Sequence, residues 1–214
     1  MTLFDHAWRV ILVPVLLGLA LGVFSATGDG VQVMVINGLA NAASPWILVA
    51  FAAGAIQLAP RLGTIAGAVA LIVAVATYYV GFLAGGVGFV VPFVLVWAVA
   101  AMVGGALFGL AGGAWRADRA RWGAAAIALV GGLLLAEAAH RLILLQVWTG
   151  IEWDRTYMQV AVADVIGAAA LLLLMVDRER WKVAAGIAPL VAMLGVGLLS
   201  AGDALLGLAA TVAQ

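Results

Sequence analysis

Glu137, His140 and Arg141 stand at i, i+3 and i+4 in an otherwise apolar run, so on a helix their side chains share one face. Asp164 is the one other ionisable residue that falls well inside an apolar stretch. Two carboxyls facing one guanidinium leave such a site unbalanced unless His140 or one of the carboxyls holds a proton. A carboxyl that stays protonated in apolar surroundings is a general acid. Spacing alone does not say whether Glu137 or Asp164 keeps it. The plain alternative is an ion pair that staples two helices and has no chemistry of its own.

Metal and cofactor chemistry find little support. Glu137-x-x-His140 is half of a di-iron carboxylate motif, but the motif occurs once and lacks the further glutamates such a site needs. The chain has 2 histidines, no cysteine and neither an HExxH nor a GxSxG sequence, so no metal site and no cofactor are expected. Retinal would need a lysine at mid-membrane, and the only lysine, Lys182, lies at the end of a span.

The elements that must position these residues follow from composition. Of 214 residues 67% are hydrophobic and 9% charged, against about 25% charged in a soluble domain. The expected fold is therefore all-α, one polytopic membrane domain over 1–214. At roughly 20 residues per crossing there is room for about seven helices. Hydrophobic runs place them at 8–25, 45–59, 62–82, 89–113, 123–148, 157–176 and 182–200. The first run is expected to stay as an anchor rather than to be cleaved. Counted on alternate sides, Arg9, Arg61, Arg116, Arg119, Arg121, Arg178, Arg180 and Lys182 share one end, and only Arg155 stands at the other. By the positive-inside rule the N-terminus is cytoplasmic and the C-terminus outside. Arginine-rich, Ala/Gly/Val-rich composition points to a bacterial source and hence to the inner membrane. Equal numbers of basic and acidic residues, 10 of each, give no sign of a nucleic-acid partner.

Depth brings the polar cluster together. Arg141 lies seven residues from Trp148, and Asp164 seven from Tyr157, about 10 Å in each case. The fifth and sixth spans should form an antiparallel hairpin, with Arg141 and Asp164 at one level and Glu137 one turn deeper. Trp97 with Phe93 at i−4, the pair Tyr78 and Tyr79, and Tyr157 at i−7 from Asp164 are the candidate lining of a cavity above the acids. Each also suits an interfacial or core aromatic.

Other signals concern packing. Gly18/Gly22, Gly63/Gly67 and Gly105/Gly109/Gly113 are GxxxG patterns, which let helices approach closely inside one subunit or across a homo-oligomer. Residues 26–44 read as a long loop on the outer interface, with Ser44-Pro45 as N-cap and first turn of a short second span, unless that helix starts near Asn37 and kinks at Pro45. The tail is expected to leave the membrane at Gly202-Asp203. Trp8-Arg9-Val10…Pro14 echoes Trp181-Lys182-Val183…Pro189, compatible with a parallel three-plus-one-plus-three repeat.

The stretches Ser44-Pro45-Trp46, Thr77-Tyr78-Tyr79, Gly105-Ala106-Leu107-Phe108-Gly109-Leu110-Ala111-Gly112-Gly113-Ala114-Trp115-Arg116 and Ala136-Glu137 resemble an uncharacterised family of small bacterial polytopic membrane proteins. That resemblance implies the multi-helix fold and no activity. By architecture alone, seven helices with an acid pair and many aromatics are similar to small integral-membrane terpene cyclases. On that analogy the leading expectation is an enzyme acting on a hydrophobic, isoprenoid-type substrate. Glu137 or Asp164 would start cyclisation, His140 hold the proton, Arg141 orient the pair, and Trp97, Tyr78, Tyr79, Tyr157 and Phe93 line the substrate. The alternative is a small proton-coupled transporter or solute-binding subunit using the same cluster; a non-catalytic assembly partner is the third.

Overall fold

The computed structural model describes residues 8–57, 59–144 and 155–212. A π-helical turn, Trp8–Leu12, runs into α1 (Val13–Gly28). Next come α2 (Met34–Ala40), α3 (Ala43–Ala55), α4 (Pro60–Ala84) and α5 (Val91–Ala117). A second π turn, Arg119–Gly123, leads into α6 (Ala124–Ala139), which ends in a third, His140–Leu144. α7 (Arg155–Met175), a 3-10 turn at Arg178–Arg180 and α8 (Trp181–Val212) follow. No strand occurs among the described residues. Six helices are long and apolar enough to cross a bilayer, and α2 with α3, bent by 58° at their junction, makes seven when counted as one broken span.

Helix ends are set by residues that cannot continue them. α4 and α5 begin on Pro60 and Val91-Pro92, where a missing N–H costs nothing. α4 stops at Gly86, whose φ of 72° suits glycine. There the Gly86 N–H bonds the Leu83 carbonyl and the Val87 N–H bonds that of Phe82, at 3.0 and 2.9 Å, the paired closure of a Schellman turn.

α6 is the axis of the bundle. Its span is 67% buried, against 17–33% for the other five continuous ones, and Ile127, Val130 and Leu134 are the centre of the core. α7 and α8 pack on α6 and scarcely on each other, while α1 and α3 both pack on α4, which lies along α5. The two groups meet where α3 and α5 touch α6 and α2 touches α7. Among the first three spans the third is the hub, and among the last three it is the first; the packing therefore does not repeat in the manner the Trp8/Trp181 echo implied. Outward faces are apolar: Leu174 is 83% and Leu194 71% exposed, as helices bathed in lipid require.

The close approaches lie within the chain. A Cβ on Gly54 or Gly63 would meet the Gly109 carbonyl, one on Gly67 the Gly105 carbonyl, and one on Gly22 the Ala74 carbonyl. The GxxxG faces of α1, α4 and α5 are thus filled by neighbouring helices of the same subunit, with Gly54 of α3 joining them.

Three expectations are corrected. Residues 26–44 are not an interfacial loop: α1 continues to Gly28 and residues 34–40 form a helix, which removes the apolar Val35 and Ile36 backbone from the problem of finding partners. Ser44 is not the N-cap, since Ala42 occupies that place and offers no side-chain bond. The tail does not turn at Gly202-Asp203: α8 runs unbroken past Pro189 to Val212, about 48 Å at 1.5 Å per residue. Trp148, the residue from which the depth of Arg141 is counted, falls outside the described residues.

Candidate functional site

The site is built on the break in the second span. Between Asn41, where α2 ends, and Ala42, in extended conformation at φ −93° and ψ 150°, the helical hydrogen bonding is interrupted. A helix start leaves its first N–H groups without intrahelical partners, and in α3 Pro45 removes one of them by having no N–H. The two at Ala43 and Ser44 are taken by Glu137 of α6: Oε1 accepts from Ala43 N at 2.8 Å and Oε2 from Ser44 N at 2.7 Å. Glu137 is 4% exposed. It does across the bundle what an N-cap residue does locally, and its charge faces the positive end of α3.

Arg141 completes the other side of the break. Its guanidinium pairs with Glu137 Oε1 through Nη2 at 2.9 Å and Nε at 3.3 Å, and the same Nη2 donates to the Asn41 carbonyl at 3.3 Å. One ion pair thus serves both severed helix ends. The Arg141 guanidinium also lies 5.7 Å from the Tyr157 ring centre, on α7, a cation–π contact. Of the four hydrogen bonds to Glu137, every one is donated to it. All of its hydrogen-bond partners are thus donors, which suits an acceptor-only carboxylate.

Asp164 differs. It is 2% exposed on α7, with Ser44, Glu137 and Arg141 as the groups acting on its carboxyl. Its Oδ2 has no hydrogen-bond partner, and the Ser44 hydroxyl, though close enough to act on this carboxyl, makes no hydrogen bond of ordinary geometry. The sequence-predicted meeting of Arg141 and Asp164 thus resolves into two carboxyls with separate tasks: Glu137 is committed to the helix break and Arg141, and Asp164 keeps an oxygen free.

His140 turns away from this pair. Its Nε2 is 2.8 Å from Asp203 Oδ2 on α8, and Ser200 Oγ is 3.5 Å from Nδ1. Toward the far end, Asp29 links three elements: Tyr78 Oη donates to its Oδ2 at 2.8 Å, and Asn41 Nδ2 donates to its Oδ1 at 3.0 Å. Asn41 also reaches Asn37 Oδ1 at 3.0 Å. Tyr78 packs on Tyr79 and Phe82, and Tyr79 on Phe89. Of the candidate lining, Tyr157 touches the site directly and Tyr78 joins it through Asp29 and Asn41. Tyr79 belongs to the aromatic cluster behind Tyr78. Trp97 is 49% exposed on α5 and Phe93 is partly buried one turn before it, on a helix that packs chiefly on α3, α4 and α6.

Sequence reasoning missed Asp29, Asn37, Asn41, Ser44, Ser200 and Asp203. A signal existed for three of them: Asn37 and Asn41 are four residues apart, and Asp29 is the only acid between the first two apolar runs. Reading 26–44 as a loop hid it. The Ala43 and Ser44 N–H groups gave none, because backbone donors have no residue type. Among the described residues, no three of His, Asp and Glu converge as metal ligands would.

No curated protein and no solved structure matches the chain. A family of unknown function, DUF6518, matches residues 1–205, and this chain, a multi-pass helical membrane bundle with one sharply bent helix pair, belongs to that family.

Proposed function

We propose that the chain is a small proton-coupled transporter, or the solute-binding membrane subunit of one, with Asp164 as the proton-carrying group. The observation that carries this reading is the second span, interrupted beside a buried ion pair and an unpartnered carboxyl. Irregular backbone inside a membrane is tolerated where it lines a site, and discontinuous helices are how many transporters present helix ends to a solute. A polar path should draw on several helices, and here α2, α3, α4, α6, α7 and α8 each contribute a polar group, with Asp29 beside them at the end of α1.

Isoprenoid cyclisation is the second reading, favoured by the free Asp164 oxygen in an apolar bundle. There Asp164, not Glu137, would be the acid. The outward position of Trp97 takes away one of the aromatic faces that the carbocation would need.

The test uses proteoliposomes loaded with a pH-sensitive dye and offered a panel of small carboxylates, amino acids and sugars. Solute-dependent acidification is expected, and Asp164→Asn should abolish it. No proton movement across the panel would overturn transport. Cyclised product from prenylated substrates, lost in the same variant, would establish the enzyme instead.

A further inference from the structure

We infer that Glu137 is an internal stand-in for a ligand, and that the break between α2 and α3 is a binding site for a small carboxylate anion. The inference rests on the transport reading and names the solute class. Everything that holds the Glu137 carboxylate is a donor of the kind that recognises free carboxylates. The Ala43 and Ser44 N–H groups lie at 2.8 and 2.7 Å, and the Arg141 guanidinium at 2.9 Å through Nη2. Helix N-termini attract anions, and guanidinium matches a planar carboxylate.

A second observation shows that this cradle has capacity beyond what Glu137 uses. Ser44 stands in the first turn of α3, is 3% exposed, and its Oγ faces the Asp164 carboxyl without making a hydrogen bond of ordinary geometry. Were Glu137 only a cap, the hydroxyl beside its bonds would be an unexplained buried cost. For an incoming carboxylate it is a further donor at the same helix end. The unpartnered Asp164 Oδ2, 2% exposed, would oppose a second anion unless it were protonated. A carboxylate therefore enters most readily together with a proton, which is the stoichiometry that coupling requires.

The groups facing Glu137 define what can compensate its release. They are Arg141 on its own helix, Asp164 on α7 and the α3 N-terminus with Ser44. His140 is engaged with Asp203 of α8, and Asp29 with Tyr78 and Asn41. Displacement of Glu137 would leave its side chain free beside Asp164, where the two carboxyls can share the incoming proton, and Arg141 and the N–H groups would pass to the ligand.

The experiment is chemical rescue, read as Tm from the fluorescence of the 8 tryptophans in detergent. Glu137→Ala empties the cradle, and formate or acetate should raise its Tm by several degrees above chloride at equal ionic strength. Glu137→Ser, which also vacates the cradle, serves if the alanine variant does not fold. In the wild-type chain the same anions should give a smaller rise, since a ligand that binds the folded state stabilises it, and Ser44→Ala should reduce that rise. Equal effects of chloride and carboxylates, in the wild-type chain and in whichever variant folds, would overturn the inference. That result with solute-driven acidification intact would leave the transport reading standing. A carboxylate-specific rise without any proton flux would support the site and remove transport.

Discussion

Glu137 and Asp164 are chemically alike, equally buried and near one another, yet their hydrogen bonds divide them. Glu137 receives four donors and one full ion pair; Asp164 keeps Oδ2 unpaired. Neutralising Glu137 leaves the Arg141 charge buried alone, a change that costs about 3–5 kcal/mol, so Glu137→Gln should lower Tm sharply. Asp164→Asn removes no ion pair and should shift stability by less than about 1 kcal/mol while abolishing proton movement. Denaturation and flux measured on the two variants check this, and equal destabilisation would make Asp164 part of the staple. Asp203 is 65% exposed, so Asp203→Asn should cost under about 1 kcal/mol despite its short bond to His140. The i, i+3, i+4 pattern was legible as a polar face because helical periodicity depends on residue type. The main partners of Glu137 were not, since they are backbone groups 94 and 93 positions away.

At the scale of elements, the broken span was half legible. Pro45 and the apolar Val31–Ile36 stretch signalled that residues 26–44 were not an ordinary loop, but a proline does not say whether the helix before it ends, kinks or never starts. The break is stable here because α6 supplies from outside what the sequence around residue 42 cannot: acceptors for one end and a donor for the other. Glycine packing was more legible, because GxxxG spacing is itself the physical requirement for close approach. What spacing could not reveal is that Gly54, which has no GxxxG partner, lies against the same Gly109 as Gly63 and Gly67. Gly109→Ala would drive a methyl into the Gly63 carbonyl and the Gly67 backbone. Neither can yield without separating two helices, so folded yield in detergent should fall severely. Gly186 in α8 has nothing within 4 Å of a new Cβ, and Gly186→Ala should instead stabilise by about 0.5–1 kcal/mol. A thermal melt of both separates packing from propensity; equal loss in both would mean the α4–α5 contact is looser than its geometry.

For the whole molecule, the bundle and its number of spans were legible from hydropathy, while the arrangement around α6 was not, because apolar residues on every helix carry no address. What remains to be tested is direction across the membrane, and the broken span makes it sharp. If α2 and α3 cross as one bent unit, the segments before and after them lie on opposite sides; if they dip and return, both lie on the same side. The chain has no cysteine, so single substitutions report without background. Gln32 precedes the break and Gly88 joins α4 to α5, whereas Arg61 starts α4 and Glu179 precedes α8, and all four positions are exposed. With the basic residues held inside, a membrane-impermeant maleimide applied to intact cells should label Gln32→Cys and Gly88→Cys, and reach Arg61→Cys and Glu179→Cys only after permeabilisation. Labelling of Gln32→Cys and Arg61→Cys from one side would make the pair re-entrant and reduce the crossings to six. Reversal of all four would keep the bundle and turn the Glu137 site toward the cell interior, so that an entering solute would meet the proton-carrying Asp164 from the opposite side.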